Sequence, residues 1–238
     1  MILFRSFLFA AVFYLWSVLY AIAMVPVLAA PRSWMLAGMR FWSQSVNLLL
    51  RVICGIRVEV RGREHIPAGD ALIAAKHQTM FDVFVQFGVL RGSLFVFKKE
   101  LLIIPIFGWI ALRIGSIVVD REGQSAALRD MVRRAREQFR LGDRQLVIFP
   151  EGTRKAPGAP PDYKPGVAAL YRELEVPVHP VATNAGVHWP AHGFIRRPGV
   201  IVYEYLEPLP PGLKRAEFMR LLQDRIETAS DRLLAEGL

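Results

Sequence analysis

From Val58 onward the chain alternates between two hydrophobic periods, and that alternation restricts its fold more than any other feature. The runs VEVRG, ALIAAK, LFVFKK, GSIVVD, QLVIFP, VPVHPVAT and VIVYEYL, rich in Val, Ile, Phe and Tyr, read as strands. Between and after them, MFDVFVQFGVL, SAALRDMVRRAREQFRL, GVAALYREL and AEFMRLLQDRIETASDRLLAEGL carry helical spacing. Strands and helices in this order predict an α/β fold, a mixed sheet flanked by helices, with sites gathered in the loops beyond strand ends. The proline-rich segment APGAPPDYKPG at 156–166 is too short to separate domains and reads as a mobile loop beside a site, so residues 58–238 form one domain.

The segment before it has a different character. No charged residue occurs from Ser6 to Pro31, enough helix to cross or deeply enter a bilayer core at about 1.5 Å per residue. A cleaved leader is the rival reading, because Arg5 precedes the run and VLAA resembles a cleavage site; the apolar stretch is longer than such leaders carry. Arg32, Arg40, Arg51 and Arg57 follow, with Trp34, Phe41 and Trp42 interleaved among Leu36, Met39, Val46, Leu49, Leu50 and Ile53. This predicts an amphipathic helix lying in the membrane interface; a helix packed on the domain core would give the same stripe. Residues 1–57 are therefore expected to be a membrane-associated helical pair.

Charge and cysteine usage narrow the partners. A net charge of +9, mostly arginine, favours an anionic partner: nucleic acid, lipid headgroups or a phosphorylated substrate. Arg129, Arg133, Arg134, Arg136 and Arg140 alternate with apolar residues as the solvated face of an amphipathic helix does, which argues against nucleic acid. Cys54 is the single cysteine, which excludes a disulfide framework and a cysteine-rich zinc site. His188 and His192 are separated by Pro190 and lack the glutamate of a zinc helix, so no metal is expected, and His179 in an apolar strand reads as a satisfied wall residue.

Two readings compete for KHQTMFD at 76–82. Asp82 could receive the His77 imidazole N–H, fixing its tautomer and leaving the other ring nitrogen to take a proton. Equally, Thr79 and Asp82 match a T-x-x-D capping box at a helix start. Both place His77 between the end of ALIAA and a helix N-terminus. Lys76 beside it would favour a neutral imidazole if it faced the ring; as a strand-end lysine it is expected to point into solvent.

Further blocks follow in order. IFPEGTRK at 148–155 leaves a strand with Glu151, Gly152, Thr153 and Arg154, groups able to converge on a phosphate. The stretch from 98 to 121 closes on Arg121, and VPVHPVATNAGVHWP at 176–190 feeds a turn. With KHQTMFD these blocks resemble the 1-acylglycerol-3-phosphate O-acyltransferase family, the lysophosphatidic acid acyltransferases, over about residues 70–210, FPEGTR being the most specific.

The resemblance implies that His77 is the general base and Asp82 its partner, that Arg121, Glu151, Gly152, Thr153 and Arg154 bind the glycerol phosphate acceptor, and that VPVHPVAT helps line the acyl-donor region. It implies an acyl group passed from acyl-CoA or acyl carrier protein to lysophosphatidic acid at a bilayer, with no cofactor and no nucleic-acid partner. The catalytic domain is expected on the cytoplasmic side of a bacterial inner membrane, where a cationic face meets an anionic leaflet. The chain carries no G-x-S-x-G elbow, in keeping with direct transfer. Lys76 and Thr79 depart from the asparagine and serine frequent in the family. Other lysolipids, a lyso-ornithine lipid or lysophosphatidylglycerol, are alternative acceptors, and a non-catalytic lipid-binding module is the alternative of another class.

Overall fold

The computed structural model describes residues 1–104, 106–120 and 124–237. All seven strand-like runs form strands: β1 (Ile56–Arg61), β2 (Ala71–Ala75), β3 (Ser93–Lys98), β4 (Ile117–Val119), β5 (Gln145–Ile148), β6 (Val178–Thr183) and β7 (Gly199–Tyr205). They make one sheet in the order β1, β7, β6, β2, β5, β3, β4. From β6 to β4 neighbours are parallel, with Ile73 in register with Val147 on one side and His179 on the other. β7 pairs antiparallel with β6 and parallel with β1, so the sheet is mixed, as the alternation predicts.

The central strands bury both faces, which is why they read as continuous apolar runs. Along β2, Ala71, Ile73 and Ala75 enter one core and Leu72 and Ala74 the other; along β5, Val147 joins the first and Leu146 and Ile148 the second. The second core is closed by α5 (Gln124–Phe139), α6 (Gly166–Leu174) and α8 (Arg215–Glu236), through Met131, Ala135, Leu170, Phe218, Leu222 and Ile226. The first is closed by α1 (Ile2–Ala23), α2 (Arg32–Leu49), α3 (Phe81–Val89) and α4 (Phe107–Arg113). The short helices α4 and α7 (Ala185–His188) escape a sequence reading because neither is long enough to establish a period.

The N-terminal pair is partly built into this core. On α1, Phe13 lies 5.9 Å from the Trp189 ring, 6.0 Å from Phe84 and 6.2 Å from Trp42. Its outward residues Phe4, Phe7, Leu15, Val18, Leu19 and Ile22 remain exposed, and among the described residues α1 is the one helix long and apolar enough to cross a membrane. On α2, Met35, Leu36, Met39, Trp42 and Val46 are buried, while Trp34 and Phe41 face outward. Arg32 and Arg40 turn inward instead of lining an interface. Arg32 donates to the Ile114 carbonyl at 2.8 Å and the Gly92 carbonyl at 2.9 Å, and Arg40 to the Leu90 carbonyl at 3.1 Å. Leu90 and Ile114 are the C-terminal caps of α3 and α4, where carbonyls lack partners and cations are favoured. Cys54 is buried, not surface-facing, and burial pushes its thiol up, away from reactivity.

Candidate active site

The C-terminal ends of β2, β5 and β6 meet at one edge of the sheet. The Lys76 N–H still pairs with the Val181 carbonyl of β6 at 2.9 Å, after which the chain turns through His77 into α3. There the His77 Nδ1 lies 2.9 Å from Asp82 Oδ2. The same oxygen accepts the backbone N–H groups of Gln78 at 2.7 Å and Thr79 at 2.8 Å, while Oδ1 accepts the Tyr203 hydroxyl at 2.7 Å. Thr79 Oγ1 in turn accepts the Phe81 N–H at 2.7 Å. The expected capping box does not form: α3 begins at Phe81 with Met80 at its N-cap and no side-chain capping bond, and the fully buried Asp82 carboxylate instead ties down the turn before the helix, which fixes it for the imidazole.

This geometry assigns the tautomer. With Nδ1–H donated to Asp82, neutral His77 carries its lone pair on Nε2. Phe149, the residue after β5, stacks on the ring at 4.0 Å and 21°, holding its plane, and the side chain keeps 16% exposure. Tyr203 on β7 is a site residue that sequence reasoning missed. Burial, then the Asp82 charge, push its hydroxyl well above the ordinary range, so it stays a donor. Nothing in VIVYEYL distinguishes that tyrosine locally; its partner lies 121 residues away.

At the end of β5, Phe149 to Gly152 form a turn closed by the Gly152 N–H on the Phe149 carbonyl at 2.9 Å. Gly152 has φ +66°, the left-handed region that favours glycine. Glu151 points beneath this turn. Its Oε2 accepts the His77 N–H at 2.9 Å and its Oε1 lies 2.8 Å from Lys76 Nζ. Lys76, expected in solvent, is 2% exposed, because the ammonium also meets the Glu227 carboxylate of α8 at 2.6 Å. Burial alone would lower the Lys76 pKa; bonds to Glu151 and Glu227 outweigh it and hold it raised. Burial raises Glu151 against the pull of Lys76.

Thr153 and Arg154 follow on the exposed side, Arg154 reaching the Ala191 carbonyl only loosely at 3.4 Å. The proline-rich loop runs beside them as expected, tied by the Lys155 N–H to the His77 carbonyl and the Lys164 N–H to the Pro150 carbonyl, both at 2.8 Å. The structure thus joins Asp82 and Glu151 each to His77, with Gly152 closing the same turn as Glu151 and Thr153 and Arg154 just after it; Arg121 lies outside the described residues. His179 is buried, and its Nδ1 meets the His65 carbonyl at 2.6 Å, the satisfied wall residue expected. His188 is likewise buried against the Arg197 carbonyl at 3.1 Å.

The Acyltransferase family profile matches residues 57–184, from β1 to the turn after β6, which takes in Lys76, His77, Asp82 and Glu151 to Arg154 but not Tyr203 or Glu227. The chain belongs to this family of acyltransferases. The chain is 38% identical over 160 residues to a 1-acyl-sn-glycerol-3-phosphate acyltransferase of Pseudomonas aeruginosa, a match covering 67% of this chain and 62% of that one. It is 27% identical over 208 residues to the protein of the same name from Limnanthes alba, covering 87% and 73%. The crystal structure of the 1-acyl-sn-glycerophosphate (LPA) acyltransferase PlsC from Thermotoga maritima superposes with a TM-score of 0.83 at 22% identity, covering 98% of each chain. That likeness is one of fold, and it takes in α1 and α2 as well as the sheet. In chemical terms the chain presents an oriented imidazole whose Nε2 has no partner among the described residues, braced by a buried carboxylate, at the strand ends where an α/β fold keeps its reactions.

Proposed function

We propose that this acyltransferase moves a fatty acyl group from a thioester, acyl-CoA or acyl carrier protein, to the free sn-2 hydroxyl of 1-acyl-sn-glycerol 3-phosphate, giving phosphatidic acid. The observation that carries the reading is His77, whose Nδ1 is pinned to a carboxylate with three further donors while Nε2 stays open. Nε2 removes the hydroxyl proton as the oxygen attacks the thioester carbonyl, and Asp82 stabilises the imidazolium that forms. The tetrahedral oxyanion collapses, the C–S bond breaks, and the imidazolium proton goes to the departing thiolate. No acyl-enzyme intervenes. The names of the relatives support the choice of acceptor.

An acceptor panel tests this. With a labelled acyl thioester, 1-acyl-sn-glycerol 3-phosphate is expected to be acylated well above lysophosphatidylglycerol and lyso-ornithine lipid. Preference for either of the others overturns the acceptor, and absence of acyl release with all three overturns the enzyme. In the same assay Arg154→Ala raises the KM for the phosphate acceptor far more than that for the donor, and Arg154→Lys restores it in part, a point charge replacing a two-pronged donor. Equal change in both KM values removes Arg154 from phosphate recognition.

Attachment to the cytoplasmic face of a membrane belongs to the same reading. Residues 1–57 serve it and 58–238 the chemistry, although the inner face of α2 belongs to the common core. Its support is the outward apolar face of α1 with a net charge of +9 behind it. Leu15→Lys with Val18→Lys, both on that face, should shift the protein away from anionic vesicles in flotation while sparing turnover on a short-chain soluble acceptor. Undiminished flotation would place the attachment elsewhere.

A further inference from the structure

We infer that Lys76 and Glu227 are positioning residues for His77, tying the catalytic turn to the C-terminal helix through Glu151. The inference rests on the reading of His77 as the base. The chain of contacts is continuous: Tyr163 hydroxyl to Glu227 at 2.8 Å, Glu227 to Lys76 Nζ at 2.8 and 2.6 Å, Lys76 to Glu151 at 2.8 Å, and Glu151 to the His77 N–H at 2.9 Å. It crosses the sheet. Glu227 follows Ile226 of the core formed by α5, α6 and α8, whereas the Asp82 side of the site rests on the core formed by α1 to α4. His77 is thus gripped from both sides, its ring by Asp82 and its peptide by Glu151.

Its energetics favour a positioning role over a stabilising one. An ammonium and a carboxylate withdrawn from water rarely add net stability over an apolar replacement, but removing one partner leaves the other charge uncompensated. A single ammonium between two carboxylates is, moreover, a poor way to stabilise a fold. What the arrangement does supply is direction: with Oε1 held by Lys76, Glu151 offers Oε2 to one peptide N–H, the one that sets where the imidazole begins. None of these groups has a described contact with the imidazole itself, so they act through Glu151.

The test is steady-state kinetics of the full chain in detergent micelles, per folded molecule, with His77→Ala as reference. Glu227→Ala and Lys76→Met are expected to lower kcat about tenfold with KM for donor and acceptor within about twofold. Lys76→Met with Glu151→Gln should recover most of that loss, because the buried charge has gone while an acceptor oxygen for the His77 N–H remains. A purely structural network predicts fewer folded molecules but unchanged kcat in each. Unchanged kcat in Glu227→Ala, or no rescue in the double variant, overturns the inference while His77→Ala stays inactive. Activity in His77→Ala overturns the function itself. Should Lys76→Met fail to fold, Glu227→Ala still decides.

Discussion

Replacing His77 with alanine is expected to lower the turnover of acyl transfer by about 10² to 10⁴-fold and to leave the fold and vesicle binding as they were. The size follows from the chemistry: a lipid hydroxyl is a poor nucleophile, and without Nε2 its proton must leave to water in the transition state. The intact fold follows from the contacts. The imidazole stacks on Phe149 and bonds Asp82, and its loss still leaves that carboxylate three donors, the N–H groups of Gln78 and Thr79 and the Tyr203 hydroxyl. No buried charge is orphaned. Turnover of the variant on 1-acyl-sn-glycerol 3-phosphate, with circular dichroism and flotation alongside, checks all three parts; turnover within a few-fold of the parent would remove His77 from the chemistry.

What the sequence made legible here was periodic or local. ALIAA reads as a strand because β2 is buried on both faces, and the helix ending in AEGL reads as α8 because its apolar residues keep one side. KHQTMFD announced a His and an Asp close in sequence, so the two could be matched without knowing the fold. Lys76 shows the limit. Its side chain is drawn inward by Glu227, 151 residues later, and by Glu151 in the turn that follows the neighbouring strand β5; a strand-end lysine carries no local mark of either. Arg32 and Arg40 mislead for the same reason. Positioned among tryptophans they read as interfacial, but the groups that take them are helix-end carbonyls at Ile114 and Leu90, acceptors that exist only once α3 and α4 have formed.

Asp82→Asn separates the two roles of the aspartate, because the carboxamide can keep one and must lose the other. Asp82 Oδ2 accepts three N–H groups and Oδ1 accepts one hydroxyl. In Asp82→Asn the amide oxygen takes the Oδ2 position, retaining the Gln78, Thr79 and His77 bonds. The NH₂ group then faces Tyr203, whose hydroxyl rotates from donor to acceptor. The opposite flip would set NH₂ against two backbone N–H groups, so the favourable orientation is fixed. Stability should therefore change little, by about 1 kcal/mol, the scale of a single hydrogen bond. Activity should not survive so well. The imidazolium formed during attack loses its counter-charge, and turnover is expected to fall by about 10²-fold or more, on the scale of a general-base contribution. Asp82→Ala inverts the balance by also stranding two buried N–H groups and a hydroxyl at about 1 to 3 kcal/mol each, so it should lose fold and activity together. Thermal unfolding and turnover per folded molecule, measured on both variants, make the distinction: an Asp82→Asn protein with full turnover would leave the aspartate a brace of the turn before α3 and nothing more.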